Sequence, residues 1–188
     1  MKKNIVLGLL FCVTLLLASC SAKTTTWNGN VEYYAHVSMI VDETNLYEYV
    51  GIVDYVFVGT VEEIVKNVVP DEPGGSDEDL SVYKIRVDKN LKGELVENIE
   101  CSKHGGLKKD GTMMLIFSDN SNDSGLPESG NQYTFLAYAQ PDGSLTLSEF
   151  FDNRSYDDEL LEEYLDYCNN EVPFDRTRFI ASFDKSQE

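Results

Sequence analysis

Several short segments of this chain alternate between hydrophobic and polar residues, which predicts a β-rich fold. The clearest alternation lies between Val82 and Asn90, where Tyr83, Ile85 and Val87 occupy one face and charged residues occupy the other. Continuous apolar runs and turn residues, such as those at positions 141–143, mark further strands. The predicted strands are 31–41, 55–65, 82–90, 95–101, 113–117, 133–140 and 145–150.

Two segments have the spacing of amphipathic helices, and each follows a residue that can cap a helix. Thr44 precedes the first segment, and Ser155 or Asp157 can cap the second, which covers residues 157–169. Apolar residues recur at helical intervals in both segments. The two stripes are Leu46, Val50 and Val53 in the first, and Leu160, Leu161, Tyr164, Leu165 and Cys168 in the second.

These elements predict a mainly β domain with one or two peripheral helices. Five or six short strands separated by long coiled segments favour an antiparallel Greek-key barrel of the OB type, because closing a sheet removes its exposed edges. A β-sandwich is the alternative. The sequence contains no internal repeat and no long linker, so we expect one domain over residues 43–188.

The first twenty residues combine a basic start, an apolar run and a final cysteine. Lys2 and Lys3 precede an apolar run that ends at Ala18, a length typical of a secretory signal and too short for a spanning helix. The end of the run, Leu17-Ala18-Ser19-Cys20, is similar to the lipobox of bacterial lipoproteins. An ordinary secretory leader with an incidental cysteine is the alternative.

The resemblance to a lipobox implies a processed and anchored protein. Residues 1–19 are expected to be a cleaved signal peptide, and Cys20 is expected to carry lipid on its sulfur. Residues 20–42 are then the lipidated tether and N-terminal segment. We expect the domain to be anchored to the membrane at its extracytoplasmic face, since two acyl chains hold far more firmly than one.

The charge of the chain is strongly negative, with a formal net charge of −18. The predicted leader has two lysines and no acidic residue, so the mature chain would be more negative still. This argues against nucleic-acid binding, because phosphates need Lys and Arg to neutralise them. It also argues against a domain that lies flat on an anionic bilayer. Cationic partners, divalent metal ions and simple solubility are compatible with it.

Cysteine chemistry is confined to two residues once the leader is removed. Cys12 leaves with the leader and Cys20 is the predicted lipid site, which leaves Cys101 and Cys168. In an exported protein such a pair is a disulfide candidate, and two buried free thiols are the alternative. A zinc site is not expected, because the sequence lacks the C-x-x-C and H-x-x-x-H spacings of such sites.

The polar segment 119–125 has alternating oxygen-bearing side chains that could wrap a calcium ion, with Asp119 and Asp123 as the weak candidates. It departs from the EF-hand pattern, because Ser124 stands where that loop needs glycine and Gly130 stands where it needs a bidentate glutamate. We therefore expect a solvated loop, and we predict no metal and no cofactor.

Strand and turn residues recur in a recognisable order between roughly residues 45 and 150. The segments are Val53 to Val61, Tyr83 to Gly93, Gly105-Gly106, Tyr133 to Ala137 and Asp142-Gly143. This order resembles the netrin-like OB module of the tissue inhibitors of metalloproteinases and its bacterial relatives. The resemblance implies an OB-type barrel whose faces and loops bind partners. In those inhibitors the N-terminal cysteine chelates the protease zinc. Here the corresponding Cys20 would be lipidated, and the Cys-x-Cys start is absent.

The sequence predicts a binding module and not an enzyme. An enzyme needs a nucleophile with a base, an acid–base pair or a metal held together, and a hydrolase here would have to gather His104 with carboxylates. We expect instead a non-enzymatic lipoprotein that binds an envelope or extracellular protein. The alternative is an inhibitor or modulator of an extracellular protease.

Overall fold

Two sheets and two α-helices form the part of the chain that the computed structural model describes, which is residues 25–37, 45–69, 80–118, 125–154 and 156–187. The mainly β class predicted from the sequence is confirmed. The strands are β1 (Val31–Val37), β2 (Tyr55–Lys66), β3 (Leu80–Lys92), β4 (Asn98–His104), β5 (Gly106–Leu107), β6 (Met113–Ser118), β7 (Gln132–Ala139) and β8 (Leu145–Asp152). The helices are α1 (Leu46–Ile52) and α2 (Asp158–Asn169), and a 3₁₀ turn covers Lys185–Gln187.

Five of the strands hydrogen-bond in a closed ring in the order β2-β3-β4-β8-β7. Every neighbouring pair is antiparallel except β4 and β8, which run parallel and meet at Ser102 and Thr146. The prediction of antiparallel strands holds for four of the five pairs in the ring, and β4 with β8 is the exception. A ring with an odd number of strands cannot alternate in direction all the way round, so one parallel pair is unavoidable.

The remaining three strands form a separate small sheet in the order β1-β6-β5. β1 runs parallel to β6, with Val31 opposite Met113, and β5 is antiparallel to β6. Segments 31–41 and 113–117 were predicted as strands, and β1 and β6 do form there. In the part of the chain that the structure describes, these two strands pair with each other and with no strand of the ring, so they lie outside it.

Each helix is capped by a side chain that accepts a hydrogen bond from a backbone N–H of the first turn. α1 is capped by Asn45, whose side-chain oxygen accepts a hydrogen bond from the Tyr47 N–H at 3.2 Å. The prediction of Thr44 as the cap was wrong by one residue, and Thr44 itself lies outside the described residues. α2 is capped by Asp157, whose side chain accepts a hydrogen bond from the Leu160 N–H at 2.9 Å. Asp157 is one of the two residues predicted as this cap.

The interior of the ring holds one hydrophobic cluster, built from alternate residues of all five strands. Tyr83, Ile85 and Val87 point inward from β3 as their alternation predicted, and Phe57 and Phe135 pack with ring centroids 5.4 Å apart. Burying each such side chain stabilises the fold by roughly 1.5–3 kcal/mol.

A second cluster lies outside the ring, where α1 and α2 pack against β2 and β7. Val56 and Leu136 face this cluster, while their neighbours Phe57 and Phe135 face the interior of the ring. Both strands are thus buried on two faces, which explains why residues 55–58 form a continuous apolar run instead of alternating. Tyr49 and Tyr164 fill the space between the helices and the ring.

After α2 the chain crosses the ring as an irregular segment, residues 170–184, which we call the C-terminal segment. Backbone hydrogen bonds tie both ends of it to distant elements. Val172 N–H donates to Tyr47 O at 3.0 Å, Ser182 N–H donates to Gly143 O at 2.8 Å, and Phe183 O accepts from Val96 N–H at 2.9 Å. The segment is therefore a fixed part of the fold, and it borders the candidate site.

Candidate functional site

A groove of about 460 Å³ lies between the C-terminal segment and the turn that follows β3. We call it the C-terminal groove. Its apolar lining comes from Tyr55, Pro173, Phe174 and Phe179, and its charged lining comes from Asp54, Lys92, Glu171, Arg178 and Asp184. Asp54 and Tyr55 come directly after α1, whereas Pro173 and Asp184 belong to the end of the chain. The groove is therefore created by contacts between residues that are far apart in the sequence.

Asp54 and two arginines of the C-terminal segment hold one wall of the groove in place. The Asp54 carboxylate, only 6 % exposed, lies 2.5 Å from Arg176 Nη2 and 3.1 Å from Arg178 Nη1. It also accepts a hydrogen bond from the Ala139 N–H at 2.9 Å. The strongly buried carboxylate is thus paired and hydrogen-bonded, which is the condition under which burial of a charge is tolerated.

The same two arginines also bind the carbonyl groups at the end of α1. Arg176 Nε donates to Ile52 O at 2.7 Å, and Arg178 donates to Gly51 O at 2.5 Å and to Val53 O at 2.9 Å. The last carbonyls of a helix have no partner within it, and cations are favoured at that end. The two arginines therefore cap α1 and fix the C-terminal segment in one set of contacts.

Lys92 and Gly93 form the opposite wall of the groove. Lys92 Nζ donates to Val50 O at 2.7 Å and forms an ion pair with Glu171. Gly93 has a φ of +73°, and a side chain there would collide with the ring of Tyr55. Glycine is required at this turn because the backbone is left-handed and passes directly over that ring.

Tyr55 and Asp184 close the base of the groove. The Tyr55 hydroxyl donates to Asp184 Oδ2 at 2.8 Å and accepts from the Ala181 N–H at 3.1 Å. Burial raises the pKa of Tyr55 to about 12, with a further contribution from the neighbouring carboxylate. Burial by itself would raise the pKa of Asp184, but hydrogen bonds from Ser186 and Tyr55 hold it below its usual value. The pair is thus a neutral phenol bound to a carboxylate.

Exposed apolar side chains lie on the C-terminal segment. Phe179, which lines the groove, is 37 % exposed. Ile180, the next residue, is 58 % exposed, and Val172 on the same segment is 48 % exposed. We call Phe179 and the adjacent Ile180 the rim of the groove. Large apolar side chains held at a rigid surface beside charged groups are the pattern of a protein-binding site. The carboxylates Asp54 and Asp184 are already engaged by Arg176, Arg178 and Tyr55.

No protein-family model matches this chain, and no curated protein matches its sequence. Function therefore rests on the residues and geometry of the molecule itself.

A second and larger cleft, of about 620 Å³, opens where β7 begins and β8 ends. Tyr133 and Phe151 form its floor, but they are only 8 % and 2 % exposed because their rings pack into the interior cluster. The Tyr133 oxygen already accepts hydrogen bonds from the Glu128 N–H and the Asn131 amide. The other residues that line this cleft are mainly polar, so the cleft offers less apolar contact than the C-terminal groove.

Three of the residues singled out from the sequence lie outside the described residues. They are Cys20, the predicted lipid site, and Asp119 and Asp123, the weak calcium candidates. Within the described ranges, no three or more His, Cys, Asp or Glu side chains come together in a way that could hold a metal ion. The same ranges contain no helix with the length and apolar character needed to cross a membrane.

Of the two alternatives for Cys101 and Cys168, the structure has free thiols. Cys101 points into the interior of the ring between β3 and β4, whereas Cys168 packs in the outer cluster on α2. A bridge would have to pass through the wall of strands that separates the two clusters. Burial raises the pKa of both thiols, that of Cys168 to about 11, so neither is an activated nucleophile.

His104 is the histidine whose side chain the structure describes. His104 ends β4 as an exposed residue on the outer face of the strand, opposite Leu80 on β3. Its neighbour Lys103 points the other way and is fully buried. The alternation of Ile99, Cys101 and Lys103, which are buried, belongs to a strand that continues to His104. The backbone of His36 lies in β1.

The arginines of the C-terminal segment were missed by the sequence analysis. Residues 170–187 show no periodic pattern, so nothing predicted an element there. A usable signal existed in the Arg176-Thr177-Arg178-Phe179-Ile180 run, because two arginines beside two large apolar residues are unusual in so acidic a chain. Their acceptors, Asp54 and the carbonyls that end α1, were beyond reach because they lie more than a hundred residues away in sequence.

Proposed function

We propose that this chain is a lipid-anchored extracytoplasmic lipoprotein whose domain binds another envelope or extracellular protein through the C-terminal groove. The observation that carries the binding proposal is the exposed apolar rim, Phe179 and Ile180, on a segment fixed to the fold by Arg176 and Arg178. The anchor is carried by the lipobox-like segment that ends at Cys20.

The ring of strands supports an OB-type barrel for the domain. If the five ring strands are numbered along the chain, their order around the ring is one, two, three, five, four. A Greek-key connection that closes five strands in this way belongs to the OB architecture. The short helix α1 before the first ring strand and the helix α2 after the last agree with the netrin-like resemblance. OB barrels present rigid faces and loops to partners, so this fold suits a binding module.

Rigid presentation favours binding by the groove rim. A partner that docks on Phe179 and Ile180 meets a segment whose backbone is already ordered by Asp54 and by the end of α1. Ordering a flexible segment on binding would cost affinity, and a segment that is ordered beforehand avoids that cost. A few side chains that become fully buried on binding contribute most of the free energy of protein–protein binding.

The charge of the chain suggests the character of the partner. The formal net charge is −18, so a partner with a basic surface would be attracted over a distance comparable with the Debye length. At the groove itself, Lys92 and Arg178 stand beside Asp54, Glu171 and Asp184, so the local surface carries both signs. We propose that long-range attraction brings the partner in and that the apolar rim holds it.

A non-enzymatic role agrees with the state of the acidic groups at the groove. Asp54 is paired with two guanidinium groups and Asp184 accepts from a tyrosine, so neither carboxylate is poised to move a proton. The domain would then act by occupying a partner. If that partner is a secreted protease, the module would be a modulator of that enzyme.

Chemical crosslinking in living cells, followed by mass spectrometry, tests the proposal. The unaltered protein should capture one dominant envelope or extracellular protein. The Cys20→Ala variant, which cannot be anchored, should lose most of the captured material. The double variant Phe179→Ser and Ile180→Ser should lose it while remaining anchored.

The matched control is Val65→Ser, which removes an exposed valine, 46 % accessible, from the end of β2 on a different element. It should capture the same partner at the same yield as the unaltered chain. Equal capture by the unaltered protein and by the groove variant would contradict the groove as the binding surface. Equal capture by the Cys20→Ala variant would contradict the role of the anchor.

A further inference from the structure

The first described residues carry a concentrated patch of exposed apolar side chains. Trp27 is 54 % exposed, Val31 is 38 % exposed and Tyr33 is 57 % exposed, all within seven consecutive positions. Isolated apolar residues at a surface need no explanation, but aromatic residues grouped in this way mark a contact surface. We call these three residues the N-terminal aromatic patch.

The patch is held rigidly on the small sheet. Asn28 N–H donates to Gly111 O at 2.9 Å, and the Asn28 side chain donates to Asp110 O at 3.2 Å. The indole of Trp27 donates to Asn30 O at 2.9 Å, and the same carbonyl accepts from the Met113 N–H at 2.9 Å. The irregular residues before β1 are thus fixed against the β5–β6 region, and the aromatic side chains are presented in a set position.

The charged side chain of this strand does not share the face of its apolar neighbours. Side chains alternate along a strand, so Val31 and Tyr33 project to one face of β1 and Glu32 projects to the other. Glu32 is paired there with Lys108, whose Nζ lies 2.5 Å from its carboxylate. The apolar face of β1 can therefore approach a surface without burying that carboxylate.

The position of the patch in the chain identifies the surface that it can reach. Seven peptide steps separate Cys20 from Trp27, and a chain of that length spans at most about 25 Å when fully extended. A lipid on Cys20 would hold Trp27 and the start of β1 close to the headgroups. Trp and Tyr are the side chains most enriched at the membrane interface, because each has an apolar ring and a polar group.

We propose that Trp27, Val31 and Tyr33 dock the domain on the bilayer that holds the lipid of Cys20, an inference that rests on the proposed lipid anchor. The three docking side chains are uncharged, and the chain as a whole is strongly negative. Zwitterionic headgroups are therefore the surface that the patch fits, since anionic headgroups would repel the rest of the domain. Docking of this kind fixes the orientation of the domain instead of leaving it to swing on its tether.

Trp27 is the one tryptophan of the sequence, so its fluorescence reports on the patch directly. The lipidated protein is reconstituted into phosphatidylcholine vesicles, with and without bromine on the acyl chains, and vesicle flotation is measured in parallel. Docking predicts emission at shorter wavelength than in the unlipidated Cys20→Ala variant, and strong quenching by the brominated lipid. The double variant Val31→Ser and Tyr33→Ser should lose about half or more of the quenching, because two of three contacts are removed.

The control variant Val65→Ser changes an exposed valine on another strand and should leave the quenching unchanged. Protein that floats with the vesicles but shows no quenching of Trp27 would overturn the docking proposal and leave the anchor intact. Protein that does not float, and whose intact mass shows no lipid on Cys20, would overturn the anchor and the docking proposal with it.

Discussion

Asp54 Oδ1 accepts a hydrogen bond from Arg178 Nη1 at 3.1 Å, although the two residues are 124 positions apart in the sequence. The bond joins the residue that follows α1 to the segment that ends the chain. It brings Phe179 and Ile180 beside the ring of strands, and it makes one wall of the C-terminal groove. The buried Asp54 carboxylate therefore contributes to the integrity of the groove, together with the backbone hydrogen bonds of the segment.

Replacing Asp54 with Asn should release the C-terminal segment. The guanidinium groups of Arg176 and Arg178 would lose their ionic partner, at a cost of about 2–3 kcal/mol because part of each arginine stays exposed. Urea denaturation measures the loss, and limited proteolysis should cut within residues 170–184 sooner than in the unaltered protein. The matched control, Glu63→Gln, removes an exposed ion pair with Lys84 and should change neither measurement. If the Asp54 variant resists urea and protease as well as the unaltered protein does, Asp54 does not hold the C-terminal segment in place.

The buried pair of Lys103 and Glu149 makes an asymmetric prediction. Lys103 is fully buried over the ring of Phe151, donates to the carbonyls of Ser148 and Glu149, and pairs with the Glu149 carboxylate, which is 23 % exposed. Glu149→Gln leaves a buried ammonium without its counter-ion and should cost about 2 kcal/mol or more. Lys103→Met removes the buried charge and fills the same space, so it should cost less than about 1 kcal/mol. The midpoints of urea denaturation of the two variants measure the difference. A larger loss of stability for Lys103→Met than for Glu149→Gln would contradict this account.

Acid should weaken the docking of α2 through Asp152. Burial by itself would raise the pKa of Asp152, but hydrogen bonds from Arg154 and Tyr164 hold it below the usual value. Because the folded pKa is below the unfolded value of about 3.9, the unfolded chain binds more protons in acid. The stabilisation is complete above that value and is lost as pH falls towards the folded pKa.

The variant Asp152→Asn should therefore show a shallower loss of stability with falling pH than the unaltered protein. Thermal unfolding between pH 6 and pH 3 measures the slope, with Asp175→Asn, an exposed carboxylate on the C-terminal segment, as the control. The control should keep the slope of the unaltered protein. An unchanged slope in the Asp152 variant would show that this carboxylate is not linked to folding.

How much of this fold the sequence could predict depended on whether the signal was local. The alternation of Tyr83, Ile85 and Val87 located β3 because one face of that strand is buried and the other is solvated. The hairpin of β7 and β8 was found because turn residues separate two apolar runs. The ring is closed by the parallel pairing of β4 and β8 at Ser102 and Thr146, and no local sequence pattern marks such a pairing.

The candidate site was hidden from the sequence for the same reason. The groove depends on contacts between residues near position 54 and residues near position 178, and no local pattern in either segment marks that pairing. The buried Lys103 was likewise unexpected, because a lysine beside a histidine and two glycines is typical of an exposed loop. Its burial follows from the register of β4, which places every second side chain from Ile99 to Lys103 inside the ring.

The two cysteines of the domain should resist alkylation in the folded state. Cys101 is buried inside the ring and burial raises its pKa, while burial raises the pKa of the partly buried Cys168 to about 11. Iodoacetamide at pH 8 should therefore label Cys168 slowly and Cys101 only after denaturation. Mass spectrometry of the labelled peptides measures both rates. A peptide that links Cys101 to Cys168 through a disulfide would contradict the separation of the two thiols.

Site-specific photo-crosslinking from position 180 in living cells tests the central claim most directly. A photoreactive amino acid replaces Ile180 at the rim of the groove in one variant and Val65 on β2 in another, both being exposed positions. If the groove binds an envelope or extracellular protein, light should produce one discrete adduct from position 180 and none from position 65, and Asp54→Asn should abolish it. Identical patterns from the two positions, or no adduct from position 180 in an anchored protein, would contradict the claim.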